Sequence, residues 1–457
     1  MARPRPLLIL FPLTVFRREK MWGRRKSHIC VTIPFQRVFP VGLAYLLGIQ
    51  ILSEFEAAKV GLETAEADGM NGLDRNVTVM MVFKVTITLF FFVPVMTLFW
   101  QENGLSLLEV MVLQSIFSIA TVLMEFPSGV LADRYGRRRV LIAASLMSLV
   151  GLTIYSVADG FYSFLVAELL LAVWIALMSG ADSALLYDSL KELKREDEYT
   201  QIWGNIQFYS LVFLAGVNIL GGIIATQGLR YTLYASLPFS LIAFLSSFYF
   251  VEAGRESSSG SVRQQLSEVG SVFSLKSQLL WIVVYGGVVF AFNQGGLWIY
   301  QPYFRLTGIE IVYFGVIFAA FHVVAAVAGK YTWWLESYLG ANRLLAVLLV
   351  LTAGASILMG LHLAIYSFAF VFVHQVVRGI FRILISNEIN RRVDTAIRAS
   401  VLSVHALSGR IVYALLIPVV GWLADVYTLE DAFTILGITG LFAGIPALLM
   451  LKRVGVI

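Results

Sequence analysis

The chain has 457 residues, of which 58% are hydrophobic and 14% charged, and its mean hydropathy is +0.80. A soluble chain carries about 25% charged residues, so this composition excludes a water-solvated globule and requires lipid over much of the surface. The net charge of +5 does not indicate nucleic acid, because the basic residues sit in short connections between apolar runs, as in loops that face anionic lipid.

Residues 1–78 differ in character from the rest of the chain. They begin with Arg3, Arg5, Arg17, Arg18 and Lys20, and the apolar run Leu7–Phe16 imitates a signal peptide but is interrupted by Pro12. Ile29–Leu52 reads as a thirteenth span weakened by Pro34, Arg37 and Pro40, and Met70 offers an alternative start directly before the first clear span. The segment is expected to lie on the membrane surface or to be poorly ordered. From residue 79 the chain divides into apolar runs long enough to cross a bilayer as helices. Six fall at 79–100, 107–131, 140–156, 162–190, 202–226 and 231–251. Six more fall at 279–304, 312–334, 344–362, 365–389, 399–423 and 429–451. A polar Ser- and Gly-rich linker separates them, which gives bundles over 79–252 and 279–457 joined by 253–278. The expected architecture is an all-α membrane protein with twelve spans in two pseudo-symmetric six-helix halves.

Loop charges orient the chain. With the first span entering from the cytoplasm, the cytoplasmic connections and tail carry seventeen Lys and Arg, whereas the opposite loops carry only Arg230 and Arg305. Both ends of the twelve-span region are therefore expected in the cytoplasm, at the inner or plasma membrane. Cys30 is the single cysteine and excludes an internal disulfide. His28, His322, His362, His374 and His405 lack zinc-ligand spacing, so neither metal nor cofactor is expected.

The most informative connection is residues 129–139, Gly-Val-Leu-Ala-Asp-Arg-Tyr-Gly-Arg-Arg-Arg, between spans 2 and 3. Four arginines and an aspartate cannot sit in hydrocarbon, so this is a tight loop at the membrane surface. Gly129 permits close helix approach and Gly136 a sharp turn. Asp133 is an anion at a helix C-terminus, where the dipole disfavours it, so it needs a partner, and Arg137 is nearest. A fainter copy follows span 8 as Leu335–Arg343, and a similar offset sets Asp188 opposite Arg391.

That loop resembles, at every position, the loop between helices 2 and 3 of major facilitator superfamily transporters. The resemblance covers about residues 78–452 and extends to Phe99–Ser106, Met124–Gly129 and Gly421–Asp425. It implies the superfamily fold, alternating access, and a conformational role for Gly129, Asp133, Arg134, Gly136, Arg137 and Arg138. In similar proteins the Asp–Arg pair joins an acid at the end of helix 4, here Asp188, and braces helix 2 against helix 11. Helices 1, 4, 7 and 10 line the cavity of such transporters.

Ionisable and polar groups within spans supply the remaining candidates. Glu125 lies in span 2, Glu168 and Asp182 in span 4, and Asn293 and Gln294 in span 7. His374, Arg378 and Arg382 form an i, i+4, i+8 stripe in span 10, and Arg410 lies in span 11. Asp182 with Arg382, or Glu168 with Arg378, is expected to form either a protonation switch or a static ion pair, and Arg410 to pair with Glu125. Tyr300 is expected to anchor at the interface, and His405 to make an interhelical hydrogen bond. The function expected is secondary transport of a small molecule, proton-coupled, with efflux favoured over import, by a monomer in the bilayer. A transporter-like sensor is the alternative. An enzyme is disfavoured, because no nucleophile–base signature or phosphate loop is present.

Overall fold

A computed structural model describes residues 72–254, 277–393 and 398–456, all within one unit, Gln50–Ile457. The readings made on residues 1–71 and on most of the linker lie outside the described residues. Fifteen α-helices, and no strands among the described residues, build the bundle. The first half holds α1 (Gly72–Thr86), α2 (Met96–Glu102), α3 (Leu107–Tyr135), α4 (Arg137–Val157), α5 (Phe161–Met178), α6 (Ala181–Glu192), α7 (Tyr199–Ala225) and α8 (Leu229–Ser247). The second half holds α9 (Ser277–Gln294), α10 (Tyr300–Leu306), α11 (Ile311–Lys330), α12 (Thr332–Leu361), α13 (Phe370–Asn390), α14 (Arg398–Val426) and α15 (Leu429–Arg453).

Ten helical segments are long and apolar enough to cross a membrane. The first and sixth expected spans are not among them, for different reasons. The first is broken into α1 and α2, and α8 (LRYTLYASLPFSLIAFLSS) dilutes its apolar residues with Ser, Thr and Arg. Spans 1, 4 and 7 are each interrupted. In span 1 the Thr86 and Thr88 hydroxyls donate back to the carbonyls of Val82 (2.7 Å) and Val85 (2.9 Å), which competes with the helical ladder, and Pro94 removes a donor. The freed Phe91 N–H donates instead to Ser236 Oγ at 3.0 Å. Span 7 stops at Gln294, passes Gly295-Gly296 and resumes as α10, so spans 1 and 7 break at corresponding positions of the two halves. Span 4 breaks at Gly180, in the left-handed region with φ +80°.

Helix α1 already covers residues 72–78, ahead of Val79, the expected first residue of span 1, which brings Asn76 into the bundle. Its amide donates to Ser189 Oγ and the Val251 carbonyl, both 2.8 Å, and its carbonyl accepts the Val251 N–H. One buried side chain thus ties spans 1, 4 and 6.

The apolar core falls into three clusters. One lies within the first half, around Phe83, Tyr155 and Phe164, and one within the second, around Tyr285, Leu348 and Leu384. The third unites both halves: Leu98, Leu107 and Met111 pack with Tyr300, Phe304 and Val420. This shared core lies at the end of the bundle away from the arginine loop. The halves meet there along α3 with α14 and α7 with α11.

Candidate functional site

At the end away from the arginine loop the halves are locked. Ser106 and Glu109 form a reciprocal capping box at the start of α3. Asp425, at the end of α14, accepts the Leu107 N–H (3.0 Å) and the Leu108 N–H (2.7 Å), so a carboxylate from the second half caps a helix of the first. Gly421 makes this approach feasible, since a Cβ there would lie 2.7 Å from the Leu107 carbonyl oxygen. Gln301 stitches the two broken spans together: it accepts the Thr97 N–H at 2.7 Å and donates to the Val93 carbonyl at 3.0 Å. Where α7 crosses α11, a Cβ on Gly315 would lie 2.1 Å from the Asn218 carbonyl oxygen, so the backbones touch.

At the basic end the ion pairs of Arg137 with Asp188, of Arg391 with Glu336 and Glu388, and of Arg392 with Glu388 each lie within one half. Arg137 pairs with Asp188 and donates to the Ala184 carbonyl at 2.8 Å. Gly136 makes the turn at φ +104°, and Glu252 accepts the N–H groups of Arg137 (2.8 Å) and Arg138 (3.0 Å) at the start of α4. Asp133 and Arg134 are exposed, and the Arg134 guanidinium lies 5.4 Å over the Tyr135 ring. Among the described residues Gly129 has no close neighbour, as a Cβ there would meet nothing within 4 Å. The second half repeats the turn at Gly340 (φ 75°, ψ 151°, against 104° and 144° at Gly136), inside α12. It repeats the ion pair with signs exchanged: Arg391 binds Glu336 at 2.9 Å and Glu388 at 3.1 Å, and Arg392 also pairs with Glu388. Outside the spans, the Glu198 carboxylate holds the Arg195 guanidinium above its ordinary pKa, with Asp74 at 2.8 Å adding to it.

Two adjoining cavities open between these ends. The smaller, about 210 Å³, is walled by both halves, including Gln114, Phe117 and Ile175 from the first and Trp298, Arg410 and Tyr413 from the second. The larger, about 590 Å³, is walled by α9, α13 and α14 and contains Asn293, Gln294, Arg378, Arg382, Ser386 and Arg410. Phe290, Gln294 and Arg410 line both. The larger volume falls within the range of small-molecule sites.

Several expected pairings are replaced. Asp182 binds Lys84 at 2.6 Å, not Arg382, and Lys84 also lies 5.5 Å from the Trp203 ring. Gly180 breaks the helix between Glu168 and Asp182, and the two acids take different partners, Glu168 on α4 and α3 and Asp182 on α1. Glu168 pairs with no arginine among the described residues. Its Oε1 accepts from the Tyr155 hydroxyl at 2.6 Å and the Gln114 amide at 2.7 Å, because α5 turns it towards α4 and α3. Arg378, Arg382 and Arg410 form no ion pair among the described residues, and Glu125 does not reach Arg410.

His374 leaves the arginine stripe as a buried core residue. Its Nδ1 meets the Tyr300 hydroxyl at 2.9 Å, and its Nε2 meets the Thr352 carbonyl (3.0 Å) and Ser356 Oγ (3.1 Å). Tyr300 is 1% exposed, so it is no interfacial anchor; the break at Gly295-Gly296 carries it into the core. The expected interhelical hydrogen bond of His405 is absent at Nδ1, which has no partner where the ring packs on Gly286. Asn76, Lys84, Tyr155, Glu252 and Asp425 escape the sequence reading as site residues. Lys84 had a signal, a cation within an apolar run, whereas Glu252 had none until the fold placed it beside α4.

A family model described as Major Facilitator Superfamily matches residues 78–415. An uncharacterized MFS-type transporter of Methanocaldococcus jannaschii is 23% identical over 186 residues, 40% of this chain and 47% of that protein. Multidrug resistance protein Stp of Mycobacterium tuberculosis is 30% identical over 182 residues, 39% of this chain and 31% of that protein. The matches thus span less than half the length of these curated relatives. The solved structure of the nucleoside transporter NupG superposes with a TM-score of 0.71 at 12% identity, covering 84% of this chain and 100% of that one.

Proposed function

Because the chain belongs to the Major Facilitator Superfamily, we propose that it is a secondary active transporter that moves a small molecule by alternating access, coupled to protons and working in export. One observation carries this reading. A core and hydrogen bonds shared between the halves seal the end away from the arginine loop, while at the basic end the ion pairs of Arg137 with Asp188, and of Arg391 and Arg392 with acids of the second half, each lie within one half. A cavity closed on one side by a separable interface is what alternating access requires. With the basic end in the cytoplasm, as the loop charges favour, this is the inward-facing arrangement.

Glu168 is the proposed proton carrier. It is buried, its hydrogen-bond donors at Oε1 are neutral, and Gln114 links it to the wall of the smaller cavity. Export is supported by the name of the Mycobacterium tuberculosis relative, a multidrug resistance protein. Proteoliposomes test both points, using a labelled compound chosen because it raises the melting temperature of the purified protein. Accumulation driven by an imposed pH gradient is expected, and Glu168→Gln should abolish the gradient-driven part while leaving counterflow exchange. A compound that binds but never crosses would overturn transport in favour of sensing.

A further inference from the structure

The larger cavity is a cation-rich chamber with no acid among the described residues of its wall. Arg378 and Arg382 come from α13 and Arg410 from α14, and no Asp or Glu is among the described residues that line it. Among the described residues Glu125, on α3 beside α14, makes no ion pair with any of the three arginines, and other acids, on α13 and in the first half, have their own partners. Glu388 holds Arg391 and Arg392, Asp182 holds Lys84, and Glu168 is bonded to Tyr155 and Gln114. Arg378 and Arg410 are half-buried, and Arg382 is exposed where it lines the cavity.

Cations at membrane depth are expensive unless paired or hydrated, and three in one cavity also repel one another. Nothing among the described residues compensates them. The guanidinium is the side chain whose planar fork best matches carboxylate and phosphate oxygens. The remaining wall is mixed: the Asn293 and Gln294 amides can reach further oxygens, and Phe290 and Phe381 present apolar rings.

The geometry points to the larger cavity as a binding site for an organic oxyanion, a carboxylate or phosphate group carried on an apolar body. The inference rests on the transporter reading and names the substrate class for that cavity. The oxyanion group takes Arg378, Arg382 and Arg410, and the apolar body lies against Phe290 and Phe381. The volume of about 590 Å³ accommodates a small amphiphile or the head of an anionic lipid, which share this chemistry.

Thermal unfolding of the purified full chain in neutral detergent at low salt, followed by tryptophan fluorescence, tests the assignment. The probes are 1-naphthoate and phenyl phosphate, with 1-naphthamide and 1-naphthylmethylamine as neutral and cationic counterparts. Phosphatidylglycerol against phosphatidylcholine in mixed micelles forms the lipid arm. Oxyanions are expected to raise the melting temperature saturably, with midpoints weakened roughly tenfold or more in Arg378→Gln and in Arg410→Gln, the loss expected for a hydrogen bond to a charged group. Arg378→Lys keeps the charge but loses the fork, and provides a folded variant should the glutamine form be unstable. Arginine-dependent protection by phosphatidylglycerol, with none by the soluble acids, would assign the oxyanion to a lipid headgroup. Equal protection by the amide or amine, or midpoints indifferent to all three variants, would overturn the inference. Binding is measured without a membrane gradient, so a protein that binds these anions but fails to move them would refute transport while leaving the site intact.

Discussion

Lys84 and Asp182 meet at 2.6 Å with side chains only 10% and 8% exposed. Removing one partner of such a pair leaves the other charge buried and alone, typically at a cost of about 3–5 kcal/mol, whereas replacing both with apolar residues is often neutral. Lys84→Met and Asp182→Leu should each lower the melting temperature in detergent, and the double variant should recover most of the loss. Recovery of stability without recovery of transport would assign the pair to the transport cycle rather than to packing alone. Individual charges were visible in the sequence, but their partners were not. Glu168, Asp182 and Arg382 were each legible as costly groups in hydrocarbon, yet pairing them required knowing that Gly180 interrupts span 4. A periodicity argument carries a face across fourteen residues only where the helix is continuous. His374 failed for the opposite reason, because a stripe at helical spacing does not reveal that one member is already satisfied by Tyr300, Thr352 and Ser356.

Among the helices, the contacts that matter are the ones side chains would spoil. A Cβ on Gly315 would lie 2.1 Å from the Asn218 carbonyl oxygen, so Gly315→Val is expected to wedge α7 from α11, with an overpacking penalty of about 1–3 kcal/mol. Asp425→Ala removes the cap that α14 offers α3, a loss of about 1 kcal/mol by analogy with other N-caps. Both substitutions weaken the sealed end, so both should increase the exchange of amide hydrogens in α2 and at the start of α3, while Gly129→Ala at the open end should leave that exchange unchanged. The sequence exposed these elements unevenly. The Phe99–Ser106 and Gly421–Asp425 stretches were recognisable as motifs, and the fold supplies the reason, since they form the two sides of one contact. The twelve-part division was legible from apolar run length, but the breaks in spans 1 and 7 were not, because an interrupted apolar run reads the same as a continuous one.

Across the whole molecule, the halves share a core at one end and keep separate cores at the other. A thiol placed at Gly129 in a Cys30→Ser background should therefore react readily with a water-soluble maleimide, and one placed at Thr97 should not. A ligand that shifts the protein to its other state should invert the two rates, since it can only move that equilibrium through differential affinity. The pseudo-repeat was partly legible. The fainter copy at Leu335–Arg343 gave the position of the second turn, and Gly136 and Gly340 do share a backbone conformation. The offset set Arg391 opposite Asp188 but gave Arg391 no partner, and the fold supplies it as Glu336, a pair reversed in sign relative to Arg137 and Asp188.

The glycine crossing of α7 and α11 has a mechanical consequence. With the two backbones in touch at Gly222 and Gly315, the crossing can act as a fulcrum whose long arm runs back to Tyr199. That arm measures about 35 Å, so a tilt of about 10° would sweep its far end by about 6 Å, roughly the width of a small solute, with little displacement at the pivot itself.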